Sequence, residues 1–438
     1  MGKQLSTLDT IFVGILLVVF GGIVLHAPIS VGLSTVWSDY TLIIKSWKEI
    51  LLGVALILAT IILTRHKCWD ILRSKFIYLI IAFALVNLVL IPMYFTGFEA
   101  TVAGLFINLR FLLFFVLVYI AVRVYPQLYR FFLSTFIGGA LIVVIFALLQ
   151  LTVLPHDILK YIGYNETTIM PFLTVDQNMD YIRINSTLRG PNPLGAYALV
   201  VLSIILTLSI YNFKRLTKTQ LSGAVILGLG SIVTLWASYS RSAALGAAVA
   251  MGIILVTVYA KKISKWVWMS LALGLLVIVG GTVALRDTQF VSQVILHEDP
   301  YEGNDTNSND GHTESLLDGT RRLLQQPLGA GIGSTGSASL LSDEPVIIEN
   351  QYLFVAHETG WVGLSLYLAI TYYVLRELWR RRTHWLALGV FASGVGLASA
   401  ALLLPVFVDE TVSLIWWGLA AIALALPIAI NFKRKASK

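Results

Sequence analysis

The chain has 438 residues, of which 57% are hydrophobic and only 13% charged, with a formal net charge of +7 and a mean hydropathy of +0.81. A soluble domain carries about 25% charged residues, so this composition excludes a string of soluble domains and describes an integral membrane protein. The single cysteine, Cys68, excludes an intrachain disulfide or a cysteine metal site. The basic residues punctuate apolar runs rather than forming a nucleic-acid surface.

A helix needs about 20 apolar residues to cross roughly 30 Å of hydrocarbon. Runs suited to this lie at 10–28, 47–64, 76–96, 101–122, 130–153, 193–213, 222–239, 241–260, 266–285, 351–375, 384–407 and 410–432. The first lacks a small-residue cleavage site near its end and is expected to remain as a span. The expected fold is all-α: a single polytopic membrane domain over 1–438, with about 12 transmembrane helices. With the N-terminus cytoplasmic, 21 of the 31 Lys and Arg residues fall on that side, beside only Asp9, Asp70 and Glu377 among the acids. The positive-inside rule demands that orientation. Both termini are then cytoplasmic. Two loops, 154–192 and the large 286–350, become extracytoplasmic, the second expected to carry short helices.

An ionised group at the bilayer centre costs several kcal/mol, so chemistry is sought in these loops and at the span ends. The first loop closes in YIRINSTLRGPNPLGAYAL. There Arg183 and Arg189 precede Pro191-Asn192-Pro193, and the spacing predicts a helix from about Pro193 with Asn192 as its N-cap. Free amides at a helix start plus two arginines make an anion site; lipid headgroups are the simpler ligand. Arg241 lies between two serines at a tight turn and opens a small-residue span suited to close helix packing. Arg110 is the basic residue deep inside an apolar span, where it must face a cavity or a partner.

In the large loop, Leu316, Leu317, Leu323 and Leu324 predict an amphipathic helix over 313–325, which carries Arg322. The following Pro-Leu-Gly-Ala-Gly-Ile-Gly run (327–333) reads as a flexible turn, since it lacks the lysine of a phosphate loop. His297 and His312 are lone histidines without metal-ligand spacing. The loop ends in IENQYLFVAHETG. Glu349 stands at the water boundary, eight residues from His357 and so on one helix face with it. It is placed to take a proton from a substrate hydroxyl. Glu358, with Gly360 and Gly363, reads as a packing element.

Together these stretches resemble the O-antigen ligase and polymerase superfamily of bacterial membrane glycosyltransferases, best over residues 180–375. The carriers are Arg183 with PNPLGAY, the Ser-Arg-Ser turn at Arg241, QPLGAGIGSTG, and Glu349-Asn350-Gln351-Tyr352-Leu353 followed by Glu358-Thr359-Gly360. The resemblance implies glycan transfer from an undecaprenyl-diphosphate-linked donor to a glycan, lipid or protein hydroxyl. It places the reaction at the outer face of the bacterial cytoplasmic membrane, without metal or cofactor. It assigns Arg183, Arg189 and Arg241 to the diphosphate and Glu349 to the base, with His312 and Arg322 as loop-borne helpers. Asn192, Asn350 and Arg110 join the binding side. Where O-antigen ligases start the last motif with histidine, this chain has Glu349. The competing class is a transporter or flippase for lipid-linked glycan, which predicts several mid-membrane ionisable residues and repeated halves. Only Arg110 is deep, and no repeat is found.

Overall fold

A computed structural model of the chain describes residues 5–175, 178–260 and 308–427, together with 264, 266, 284, 285 and 288; for 308–313 it describes the backbone alone. The first helix, α1 (Thr7–Gly22), opens with a reciprocal capping box between Ser6 and Asp9, which satisfies amide groups that a helix start leaves unpaired. A short 3-10 turn leads into α2 (His26–Val36), then α3 (Thr41–Lys45), α4 (Trp47–Arg65), α5 (Lys75–Met93), α6 (Phe98–Val124) and α7 (Tyr129–Thr152). After the first large loop come α8 (Pro191–Asn212), α9 (Lys218–Ala237) and α10 (Arg241–Tyr259). The later helices are α11 (Ser308–Gln325), α12 (Gly336–Ser339), α13 (Gln351–Arg380), α14 (Trp385–Ala400) and α15 (Glu410–Ala425).

Among the described residues, nine helical stretches are long and apolar enough to cross a membrane, and α14 and α15 are shorter apolar helices. The expected span 266–285 lies, except for three positions, outside the described residues, as does most of 286–307 with His297. The expectation of an all-α chain needs one amendment. Within 154–192 an antiparallel hairpin forms from β1 (Leu173–Val175) and β2 (Asn178–Arg183), with Leu173 opposite Arg183.

Small residues set how closely the helices approach. A Cβ on Gly246 of α10 would strike the Gly396 carbonyl of α14, and one on Gly396 would strike that of Gly246. The two backbones therefore touch, as membrane helices do when side chains leave room. α15 is buried along its length and packs on α6, with Trp417 5.4 Å from Phe111 and 5.5 Å from Phe115 between ring centres. At 16 residues, α14 and α15 are each roughly 24 Å long. Such helices fall short of the hydrocarbon thickness; in their connection, 401–409, Ala401, Val406 and Phe407 are buried while Leu402 and Leu403 are exposed. The starts of α8, α10, α13 and α15 gather at this same end.

Candidate functional site

The site begins at the break between β2 and α8. The helix starts at Pro191 with Gly190 in the N-cap position, where no side-chain cap forms. The sequence expectation of Pro193 and an Asn192 cap is corrected by two residues. Proline suits the first helical position because its nitrogen has no hydrogen to leave unpaired. Asn192 is thereby freed from capping, and its Oδ1 accepts from Arg183 Nη2 at 2.7 Å. Arg183 Nε also donates to the Ser238 carbonyl at 3.0 Å. One guanidinium thus ties the hairpin to the start of α8 and to the α9–α10 turn. That turn is tight enough to force Tyr239 to a φ of 46°, and it delivers Arg241, half-buried, as the first residue of α10.

Beside this junction lies a cavity of about 210 Å³, lined among others by Asn192, Pro193, Ser242, Leu404 and Asp409. Asp409 is its one ionisable lining residue among those described. It caps α15 by accepting the Val412 amide at 2.9 Å. Burial pushes the Asp409 carboxyl up; the Val412 bond lowers it, Glu410 raises it, and the charges of Arg189 and Arg110 lower it. Arg189, exposed on the chain just before α8, therefore lies within electrostatic reach of Asp409.

The start of α13 holds the other wall. Asn350 is its N-cap, accepting from the Tyr352 and Leu353 amides while its Nδ2 donates to the Leu402 carbonyl at 2.7 Å. The Gln351 amide donates to the Ala401 carbonyl at 3.0 Å, and Gln351 Oε1 accepts from the Phe407 amide at 2.9 Å. Asn350, expected on the binding side, has both ends of its amide engaged, the oxygen in capping α13 and the nitrogen in holding 401–409. Glu349 precedes the helix, so the expected shared face with His357 does not exist. Glu349 is half-buried, and its backbone N–H donates to Ser315 Oγ of α11 at 3.1 Å.

The glycine-rich run is not a flexible turn, and the helix it meets explains why. α13 breaks at Gly360 (φ 64°), which separates the Trp361 amide from the His357 carbonyl. The run repairs both: the Trp361 amide donates to the Pro327 carbonyl at 2.9 Å, and the Ala330 amide donates to the His357 carbonyl at 2.6 Å. Inside a membrane such groups must find protein partners. Gly333, at φ 85°, gives its amide to Glu358 Oε1 at 3.0 Å, and a Cβ there would strike the Ala100 carbonyl. Glu358 Oε2 accepts from Asn108 Nδ2 at 2.6 Å. The packing role read for Glu358 and Gly360 takes this concrete form.

Residues 226–368 match the family model described as O-antigen ligase.

The match supports the O-antigen ligase and polymerase superfamily, and with it a membrane enzyme that transfers glycan as a ligase or polymerase. No match is found among the curated proteins. The O-antigen ligase region contains Arg241, Arg322, Glu349, Asn350 and the α13 break. Arg183, Asn192 and Asp409 lie outside it and meet it at Ser238 and at the cavity wall; Arg189 lies outside it as well.

The remaining candidates are dispersed. α11 exists as expected but runs from Ser308; Leu317 and Leu324 are each 68% exposed on it. Arg322 Nε donates to Asp318 Oδ2 at 2.6 Å, one turn back on the same helix. His312 lies on α11, with its side chain outside the described residues. Arg110 is internally paired: Nη1 meets Glu410 Oε2 at 3.1 Å and Glu49 Oε1 at 3.5 Å, while Nη2 donates to the Val408 carbonyl at 2.7 Å. Asp409, Glu410, His26, Lys48 and Glu49 went unread because each stands at the end of its own apolar run. The available signal was the adjacent Asp409-Glu410 pair opening the last span.

Proposed function

We propose that the chain transfers a glycan from an undecaprenyl-diphosphate-linked donor to an acceptor hydroxyl at the extracytoplasmic face of the bacterial cytoplasmic membrane. The carrying observation is the junction of Arg183, Asn192 and the Ser238–Arg241 turn beside the cavity that Asp409 lines. A leaving diphosphate gathers negative charge, and guanidinium groups offset such charge bidentately. Arg241 and Arg189 serve that purpose here. Arg183, with two of its donors already engaged, holds the two loops in register beside them.

The acceptor oxygen attacks the anomeric carbon as the bond from that carbon to the diphosphate oxygen breaks. The acceptor proton passes to Glu349, and undecaprenyl diphosphate departs. Glu349 suits this role because its neighbour Asn350 grips the loop that forms the cavity wall, and a carboxylate within reach of the hydroxyl can take its proton. Arg322 and His312 belong to α11, whose Ser315 accepts from the Glu349 amide. No metal or cofactor is assigned to any step.

The test is reconstitution of the purified protein with lipid-linked oligosaccharide and separate acceptors. Longer lipid-linked chains identify a polymerase; glycan on a second lipid or a protein identifies a ligase. Donor moved intact across the bilayer, with no new glycosidic bond, would replace transfer by transport.

A further inference from the structure

Next to Asp409 of the cavity wall lies a cluster of charges that the transfer reading does not use. His26 of α2, Lys48 and Glu49 of α4, Arg110 of α6 and Glu410 of α15 meet with side chains only 3–15% exposed. Glu410 is its hub: His26 Nε2 lies 2.6 Å, Lys48 Nζ 2.8 Å and Arg110 Nη1 3.1 Å from its carboxylate. Lys48 and Arg110 are balanced by Glu49 and Glu410, so the cluster is neutral overall with His26 uncharged. His26 is itself oriented, since Trp47 Nε1 donates to its Nδ1 at 2.9 Å.

Buried ion groups of this kind add little net stability, because desolvation consumes most of the attraction. What this one does is mechanical. Three of its contacts grip Glu410 and one, from Arg110, grips the Val408 carbonyl. These are the two residues on either side of Asp409, the ionisable group in the cavity wall. We propose that His26, Lys48 and Arg110 are positioning residues which act through Glu410 and Val408 to fix Asp409 at the cavity. The proposal rests on the transfer reading for its kinetic consequence, not for its geometry.

The test uses the full chain with Cys68→Ser as background. Arg110→Met with Glu49→Gln removes one positive and one negative charge and leaves Lys48, His26 and Glu410 balanced. Glu410 keeps its Lys48 and His26 contacts, and the loss is confined to the Arg110 bonds to Glu410 and the Val408 carbonyl, so the unfolding temperature should fall only slightly. The kcat should fall about 100-fold, as misplacement by about 1 Å does, with KM for the lipid donor little changed. Asp409→Asn retains the helix cap. Adding the pair to it should lower kcat no further, since groups that act as a unit are not additive.

A second readout needs no activity. Leu404→Cys places a thiol in the cavity wall, and its labelling by a water-soluble maleimide should rise about tenfold in the pair variant, the worth of one lost charged hydrogen bond. Arg110→Lys keeps the charge but loses the fork that spans Glu410 and Val408, and should show the same rise if the pair variant folds poorly. Parent-level kcat and labelling together in a protein that transfers glycan would overturn the positioning and leave transfer standing. Raised labelling in a protein that forms no glycosidic bond would overturn transfer and leave the positioning standing.

Discussion

Arg183 and Asn192 are nine residues apart and joined side chain to side chain at 2.7 Å, so the residue that looks like a helix cap is instead the partner of an arginine. That bond, with the one from Arg183 to Ser238, converts two separate loops into one surface. Arg183→Lys keeps the charge and loses the planar fork. A hydrogen bond to a charged group contributes about 1.5–3 kcal/mol, so glycan transfer should fall roughly 10–100-fold. Measured kcat/KM at parent level would remove Arg183 from the site.

The glycine run offers a stability test away from the chemistry. Gly333→Ala forces a side chain into positive φ, costing about 1–3 kcal/mol for the strain alone, and drives it into the Ala100 carbonyl. The purified variant should unfold at a clearly lower temperature or fail to accumulate. Gly53→Ala, on α4 where a Cβ meets nothing within 4 Å, should instead gain about 0.5–1 kcal/mol. Equal unfolding temperatures for the two would contradict the packed run.

Orientation is tested by a cysteine at Ser308, in a Cys68→Ser background, labelled with an impermeant reagent in cells with a permeabilised outer envelope. The charge asymmetry predicts 286–350 on the outer side, in which case labelling occurs without lysis. Protection until lysis would reverse the topology.

Much of the site was legible one motif at a time and illegible as an assembly. Arg183, Asn192, Arg241 and Glu349 announce themselves because each sits in a polar motif that stands out between the apolar runs. Their joining depends on Ser238, whose carbonyl carries no sequence signal at all. The hairpin had one: Asp176 and Gln177 separate two β-prone stretches, but each stretch is too short to stand out among long helices. Glycines at every second position from 329 read as freedom, and only the break at Gly360 and the Ala100 carbonyl show them to be a fit. Among the described residues, nine of the expected spans were plain, because hydrocarbon thickness sets a length that composition must meet, whereas the expected spans at 384–407 and 410–432 hold the shorter helices α14 and α15.

Glu349→Gln separates a base from a helix-end charge. A positioned base contributes about 10²–10⁴-fold to proton transfer, whereas a carboxylate near a helix start is worth about 0.3–1 kcal/mol. Turnover should collapse while donor binding and unfolding temperature persist. Near-normal turnover would pass the role to another group, and Asp409 would be the next to test.

In the proposed reaction a lipid diphosphate leaves from the arginine junction. The most direct measurement is the release of undecaprenyl diphosphate from lipid-linked oligosaccharide by reconstituted protein, parent and Arg241→Gln side by side, with glycan transfer counted in the same samples. One diphosphate should be released per glycan transferred, with a loss of about 10²–10³-fold in Arg241→Gln at an unchanged unfolding temperature. Equal release by the two proteins, or transfer without release, would contradict it.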